Sequence, residues 1–67
     1  MQIEPDFLND KQVARKLSLS DSWVRVQRHY RSKGLPHVLT VDPKYIGKCP
    51  RYLRTDIDAF VASIAAA

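Results

Sequence analysis

The chain has 67 residues, 45% of them hydrophobic, with 11 Lys and Arg against 7 Asp and Glu for a net charge of +4. A chain of this length makes one small domain of marginal stability, too small to wrap a substrate pocket, and its apolar content is that of a folded domain and not of a disordered tail. No apolar run approaches the roughly 20 residues of a membrane-spanning helix, and Met1 to Pro5 lacks the charged and apolar regions of a secretion signal, so a cytoplasmic protein with no membrane partner is expected.

Residues 1 to 6 are expected to be loosely ordered, and Phe7-Leu8 opens the fold. Asn9 is a favoured N-cap, its side-chain oxygen able to accept from first-turn amides; Gln12 completes a capping box, and Leu8 with Val13 has the spacing of a hydrophobic staple. These signals predict a helix from Asp10 to Leu17 that buries Val13, Ala14 and Leu17 and leaves Lys11, Arg15 and Lys16 in water. So short a helix must be held by packing.

Ser18-Leu19-Ser20 is a link too short to let two helices part, so the second packs steeply on the first in a helix-turn-helix arrangement. Ser20 is the cap, Leu19 and Val24 repeat the staple spacing, and Gly34-Leu35-Pro36 is a stop, which predicts a helix from Asp21 to about Lys33. At a hundred degrees per residue Trp23, Val26, Gln27 and Tyr30 share the expected core side, with Val24 at its edge, while Asp21, Ser22, Arg25, Arg28, His29 and Ser32 share the other. A polar helix side is by default only a solvated face. Here that side and the last turn carry Arg25, Arg28, Arg31 and Lys33 against Asp21 alone, on an element that fits the major groove, where Arg can donate two bonds to guanine. Ser20, Ser22, Arg25, Arg28, His29 and Arg31 are therefore candidate DNA-contacting residues.

The helical period then disappears. Val38-Leu39-Thr40-Val41 favours β structure, Asp42-Pro43 marks a turn, and Tyr45-Ile46 and Arg51-Tyr52-Leu53 flank Gly47-Lys48-Cys49-Pro50. A hairpin with its tip at 47 to 50 is expected, since Pro50 suits a tip or an edge. Its Lys44, Lys48 and Arg51, with Arg54 just after, would reach phosphates or the minor groove beside the helix; a basic edge strand also has the plainer use of blocking aggregation. Thr55 is expected to cap a last helix with Asp56 and Asp58 in its first turn, where the helix dipole favours negative charge. Ile57, Phe60, Val61 and Ile64 form its apolar stripe, closing the core against Val13, Leu17, Val24 and Tyr30. Ala65 to Ala67 is expected to fray.

The charge is segregated. Residues 1 to 24 carry a net −1, residues 25 to 54 hold eight bases against Asp42 alone for +7, and residues 55 to 67 carry −2. A basic middle of this kind is the electrostatic footprint of a polyanion binder. Cys49 with His29 and His37 has no metal-ligand spacing, and there is no nucleophile-base-acid set or glycine-rich phosphate loop, so no catalysis, metal or cofactor is expected; Cys49 reads as an ordinary reduced thiol.

The run from Phe7 to Ser20, then Val24, the Gly34-Leu35-Pro36 stop, and Arg51-Tyr52-Leu53-Arg54-Thr55-Asp56-Ile57-Asp58-Ala59-Phe60 resemble the excisionase and AlpA-like winged helix-turn-helix proteins, relatives of the MerR DNA-binding domain. The likeness covers nearly the whole chain and implies a single domain over 1 to 67, mainly α with a small β-hairpin, in the order α-α-β-β-α. It implies a small recombination directionality factor that binds and bends attachment-site DNA so that an integrase excises a mobile element, or a transcriptional regulator. Ser22, Arg25 and Arg28 would lie on the groove-facing helix and Lys48 and Arg51 on the wing. The chain departs from the pattern in a second helix about a turn longer, in Trp23 where a small residue is usual, and in the extra segment His37 to Pro43. Trp23 is either core or a sugar-phosphate contact.

Three functions remain in contention: an excisionase, a regulator, and a protein-interaction module built on a winged fold. The module needs an exposed apolar patch, for which Val38, Leu39, Val41 and Tyr45 are the candidates, although the same residues could simply pack the wing. A chain of this size without an effector domain or coiled coil favours an architectural role, with further copies lined up on adjacent DNA sites.

Overall fold

The computed structural model of the chain describes residues 5–66, which form three helices and a three-stranded antiparallel sheet: β1 (Phe7–Leu8), α1 (Asp10–Leu17), α2 (Asp21–Ser32), β2 (Lys44–Ile46), β3 (Cys49–Leu53) and α3 (Arg54–Ala65). Of the ends expected to be loose, residues 1–4 and 67 lie outside the described residues, while Ala65 is the last residue of α3.

α1 has the predicted limits and cap. The Asn9 side chain accepts from the Gln12 amide at 2.8 Å and the Gln12 side chain accepts from the Asn9 amide at 2.8 Å, so two orphan donors of the first turn are satisfied reciprocally. The link to α2 turns because Ser18 is left-handed at φ 57°, with Leu19 N–H donating to the Ala14 carbonyl at 2.8 Å. α2 starts as predicted, Ser20 Oγ accepting from the Trp23 amide at 3.2 Å, and ends with Gly34 at φ 72° and Leu35 N–H on the Tyr30 carbonyl at 2.9 Å.

α3 departs from expectation at both ends. It begins at Arg54 with Leu53 in the capping position and no side-chain cap, so Thr55 is not the cap; instead the Arg54 amide donates to the Asp6 carbonyl at 2.7 Å. Only Ile57 is fully buried and Phe60 partly so, whereas Val61 and Ile64 are exposed along a shallow depression that they share with Lys16 and Leu17 of α1.

The sheet order is β1-β3-β2, with Leu8 opposite Tyr52 and Tyr45 opposite Pro50. The tip is shorter than expected: Ile46 pairs with Cys49 across a two-residue turn of Gly47 and Lys48, Gly47 supplying φ 63°, and Pro50 lies within β3. The closing pair of such a turn is the hydrogen-bonded one, so the next pair, Tyr45 and Pro50, is not, and the missing proline amide costs no bond to β2.

The core comprises Leu8, Val13, Ala14, Val24, Leu39, Tyr52 and Ile57, with Leu17, Trp23, Val41 and Phe60 packed against it. Trp23 therefore belongs to the core. α2 is turned about a quarter of the way round from the orientation its apolar residues suggest: Val24 and Gln27 are buried, while Val26 and Tyr30 are 41% and 38% exposed. Val38 to Val41 forms no strand. Leu39 is buried all the same, because the Gln27 side-chain oxygen accepts from the amides of Val38 at 2.6 Å and Leu39 at 3.2 Å, so a buried amide that would otherwise be orphaned is paired without a β ladder.

Candidate nucleic-acid interface

The rotation of α2 decides which of its side chains can meet a ligand. Ser22, Arg25, Val26, His29 and Lys33 are exposed on the side away from Val24 and Gln27. Ser20 Oγ is the helix cap and lies 3.1 Å from Ser22 Oγ, so both hydroxyls sit at the exposed start of the helix. Arg25 reaches back one turn to Asp21 at 3.0 Å, and that hydrogen bond holds the Asp21 carboxyl below its ordinary range. An exposed i,i+4 pair of this kind is weak and screened by salt, so the guanidinium is available for exchange. His29 is exposed, its ring 6.2 Å from that of Tyr30.

Arg28 and Arg31 do not share that face. Arg28 lies on the inner flank, its side chain 19% exposed, and donates from both guanidinium nitrogens to Asp10 at 2.7 and 3.0 Å. Hydrogen bonding to Asp10 raises its pKa further above the ordinary arginine value. Beside it the fully buried Tyr52 hydroxyl makes no hydrogen bond, and burial pushes its ionisation up while the Arg28 guanidinium pulls it down. Arg31 grips Asp42 through Nε and, at 3.2 Å, through Nη2; this hydrogen bonding holds the Asp42 carboxyl below its ordinary range. Its Nη1 is 2.9 Å from His37 Nε2, and His37 Nδ1 is 2.9 Å from the Leu35 carbonyl. A carbonyl only accepts, so this pattern assigns the proton to Nδ1 and leaves Nε2 to accept from Arg31.

The hairpin divides its bases between two faces. Side chains alternate along a strand and directly opposed residues share a face, so Lys44, Ile46, Cys49 and Arg51 point one way and Tyr45, Pro50 and Tyr52 the other. Tyr52 is in the core, and Tyr45 lines a groove of about 530 Å3 together with Arg28, Arg31, Ser32, His37, Asp42 and Pro43, so that face looks toward α2. Lys44 lines a separate depression with Asp56, Ala59 and Phe60 of α3. Arg51 donates to the Pro50 carbonyl at 2.8 Å. Arg54 stands in the first turn of α3, its Nη1 3.5 Å from Asp58 and its buried Nε without a hydrogen bond. The ten candidates therefore do not form one surface: Ser20, Ser22, Arg25 and His29 stay on the open side of α2, Arg28 and Arg31 are tied into its inner flank, Lys48 is exposed at the turn, and Lys44, Arg51 and Arg54 lie toward α3.

Val26 and Lys33 on the open side of α2, and Tyr45 in the groove on its inner flank, are exposed residues that the sequence pattern did not single out as DNA contacts. Tyr45 could have been found from the alternation alone, because a two-residue and a four-residue turn both put it on the same face as the buried Tyr52. Among the described residues no group of His, Cys, Asp or Glu is placed to hold a metal ion, and no helix is long and apolar enough to cross a membrane. Compared with known protein families, with curated proteins and with solved structures, the chain matches none.

Proposed function

We propose that the chain is a sequence-specific double-stranded DNA-binding protein of the winged helix-turn-helix type, working in the cytoplasm as an excisionase. In this reading α2 enters the major groove with Ser22, Arg25 and His29 toward base edges, and the hairpin is the wing, its Lys48 reaching phosphates or the minor groove. The observation that carries the reading is the open side of α2. It presents hydroxyl, guanidinium and imidazole groups to solvent on a helix held from behind by Arg28 on Asp10 and by Gln27 on the chain at Val38 and Leu39. Recognition needs such a rigid row of donors, since a base edge is read by placement within tenths of an ångström.

Lys44, Arg51 and Arg54 drop out of the proposed contact set because they lie toward α3, and Arg28 acts through Asp10 by holding α2 on α1. The excisionase role rests on the sequence resemblance, with an integrase and further copies of the chain on adjacent sites as its partners. An AlpA-like regulator would use the same contacts.

The test is duplex binding across a salt series, followed by footprinting on attachment-site DNA. Affinity falling steeply with salt, and protection that spreads over adjacent sites, are expected. A single protected half-site at saturating protein would remove the architectural role, and salt-insensitive binding to a protein would favour the second reading, an interaction module. That reading draws on the exposure of Val38, Tyr45 at 63%, and Ile46.

A further inference from the structure

Resting on the DNA-binding reading, we infer that the groove between α2 and the hairpin is a phosphodiester site whose anion position the Asp42 carboxylate holds in the free protein, so that binding a duplex takes Arg31 from Asp42. Three observations carry it. Asp42 is the one acid among residues 25 to 54, and its side chain is 66% exposed in the groove wall. Its hydrogen bonds among the described residues are to Arg31 alone, through two nitrogens in the planar fork that fits phosphate as well as carboxylate. Arg31 does not depend on Asp42 for its aim, because His37 Nε2 accepts from Nη1 at 2.9 Å and is itself fixed by the Leu35 carbonyl.

The chemistry is an exchange of one oxyanion for another at a pre-aimed guanidinium. Asp42 sits on a segment outside helix and strand, while Ser32 and Tyr45 line the same groove and offer hydroxyl donors to the remaining phosphate oxygens. In the free protein the carboxylate keeps the groove occupied and lowers its attraction for adventitious anions. On a duplex, the higher charge density of the phosphate backbone displaces it.

Two variants test this on a mixed-sequence duplex, with folding checked by thermal melting. Asp42→Asn removes the competing charge with almost no change in shape, and is expected to bind several-fold more tightly. The charge-neutral pair Arg31→Gln with Asp42→Asn is expected to lower the slope of log affinity against log salt by about 0.9, the loss of one phosphate contact. If Asp42→Asn leaves affinity unchanged or weakens it, or the charge-neutral pair leaves the slope unchanged, Asp42 and Arg31 are only a clasp and the inference is overturned. Inorganic phosphate at matched ionic strength is expected not to compete; competition beyond that of chloride would make the groove a small-anion site and overturn the duplex assignment. Wild-type protein that binds no duplex at low salt would instead overturn the DNA reading itself.

Discussion

Arg28 and Asp10, eighteen positions apart, meet through both carboxylate oxygens and fasten the middle of α2 to the start of α1. The two side chains are 19% and 17% exposed, so the pair is far less screened than a surface ion pair. Arg28→Ala leaves Asp10 half-buried and uncompensated beside the Tyr52 hydroxyl. It is expected to cost about 3 kcal/mol of stability and to lower the melting temperature by at least about 10 °C. Duplex sequence preference of the folded fraction is expected to be unchanged; an altered preference would show that Arg28 reads a base.

Gln27 holds the chain beyond α2 by two amides, and one of them, Leu39 N–H, is buried. Gln27→Leu keeps the volume and removes the acceptor, with an expected loss of about 2 kcal/mol. Hydrogen exchange reads it directly: protection at Val38 and Leu39 is expected to fall more than at Val24.

Ser18 bears a side chain in the left-handed region, where glycine is at no disadvantage. Ser18→Gly is expected to stabilise by about 0.5 to 1 kcal/mol, and Gly34→Ala, at φ 72° in the matching position after α2, to destabilise by a similar amount. Urea midpoints of the two variants, moving in opposite directions, check both.

Acid sensitivity follows from three carboxylates held low by cations: Asp21 chiefly by the Arg25 hydrogen bond, Asp42 by that of Arg31 and Asp58 by that of Lys16. A carboxyl whose folded pKa lies below its unfolded value contributes stability that is present above the unfolded value and lost as pH falls through the folded one. Stability is therefore expected to be flat from neutral pH down toward 3.8, the ordinary value, and to decline below it. The carboxylates of all three are exposed to solvent, so high salt is expected to shrink the decline. Urea midpoints across pH at two salt concentrations measure it.

If the chain binds DNA as proposed, Arg25 and Lys48 are expected to separate base reading from phosphate contact. Arg25→Ala is expected to cost about 1 to 3 kcal/mol of affinity and to relax preference at one position of the site. Lys48→Ala is expected to weaken every duplex nearly equally and to reduce the salt slope by about one unit. The two patterns exchanged between the residues would reverse the roles of α2 and the hairpin.

Local signals were read well because their causes are local. The Asn9 and Gln12 capping box, the Ser20 cap and the Gly34 stop all act within a few residues, and they set the limits of α1 and nearly those of α2. The rotation of α2 was not legible, because it depends on acids and amides far along the chain: Asp10 and Asp42 draw Arg28 and Arg31 inward, and Gln27 turns in to meet Val38 and Leu39. Gln27 keeps the core side on which the pattern put it, whereas Val26 and Tyr30 turn out of it because Arg28 and Arg31, expected outside or in the last turn, are drawn in by carboxylates that no hydrophobic pattern marks. β1 was missed for a related reason. Two residues have no period, and Phe7-Leu8 is a strand only because Leu53 and Tyr52 lie opposite. The expected meeting of helix and hairpin bases does not take in Lys44 and Arg51, because they share the face opposite Tyr45 and Tyr52, and it is the burial of Tyr52 in the core, a long-range contact, that turns the tyrosine face toward α2.

Pro50 and its neighbour have a consequence for how copies of the hairpin meet. Where β3 extends beyond β1, the backbone groups of residue 50 are the ones turned to the open flank. The ring nitrogen there has no hydrogen to give, and the carbonyl already takes one from the Arg51 guanidinium. A foreign strand approaching along this flank finds no donor and an acceptor already engaged, so growth of a ribbon by sideways recruitment is hindered there by two adjacent residues.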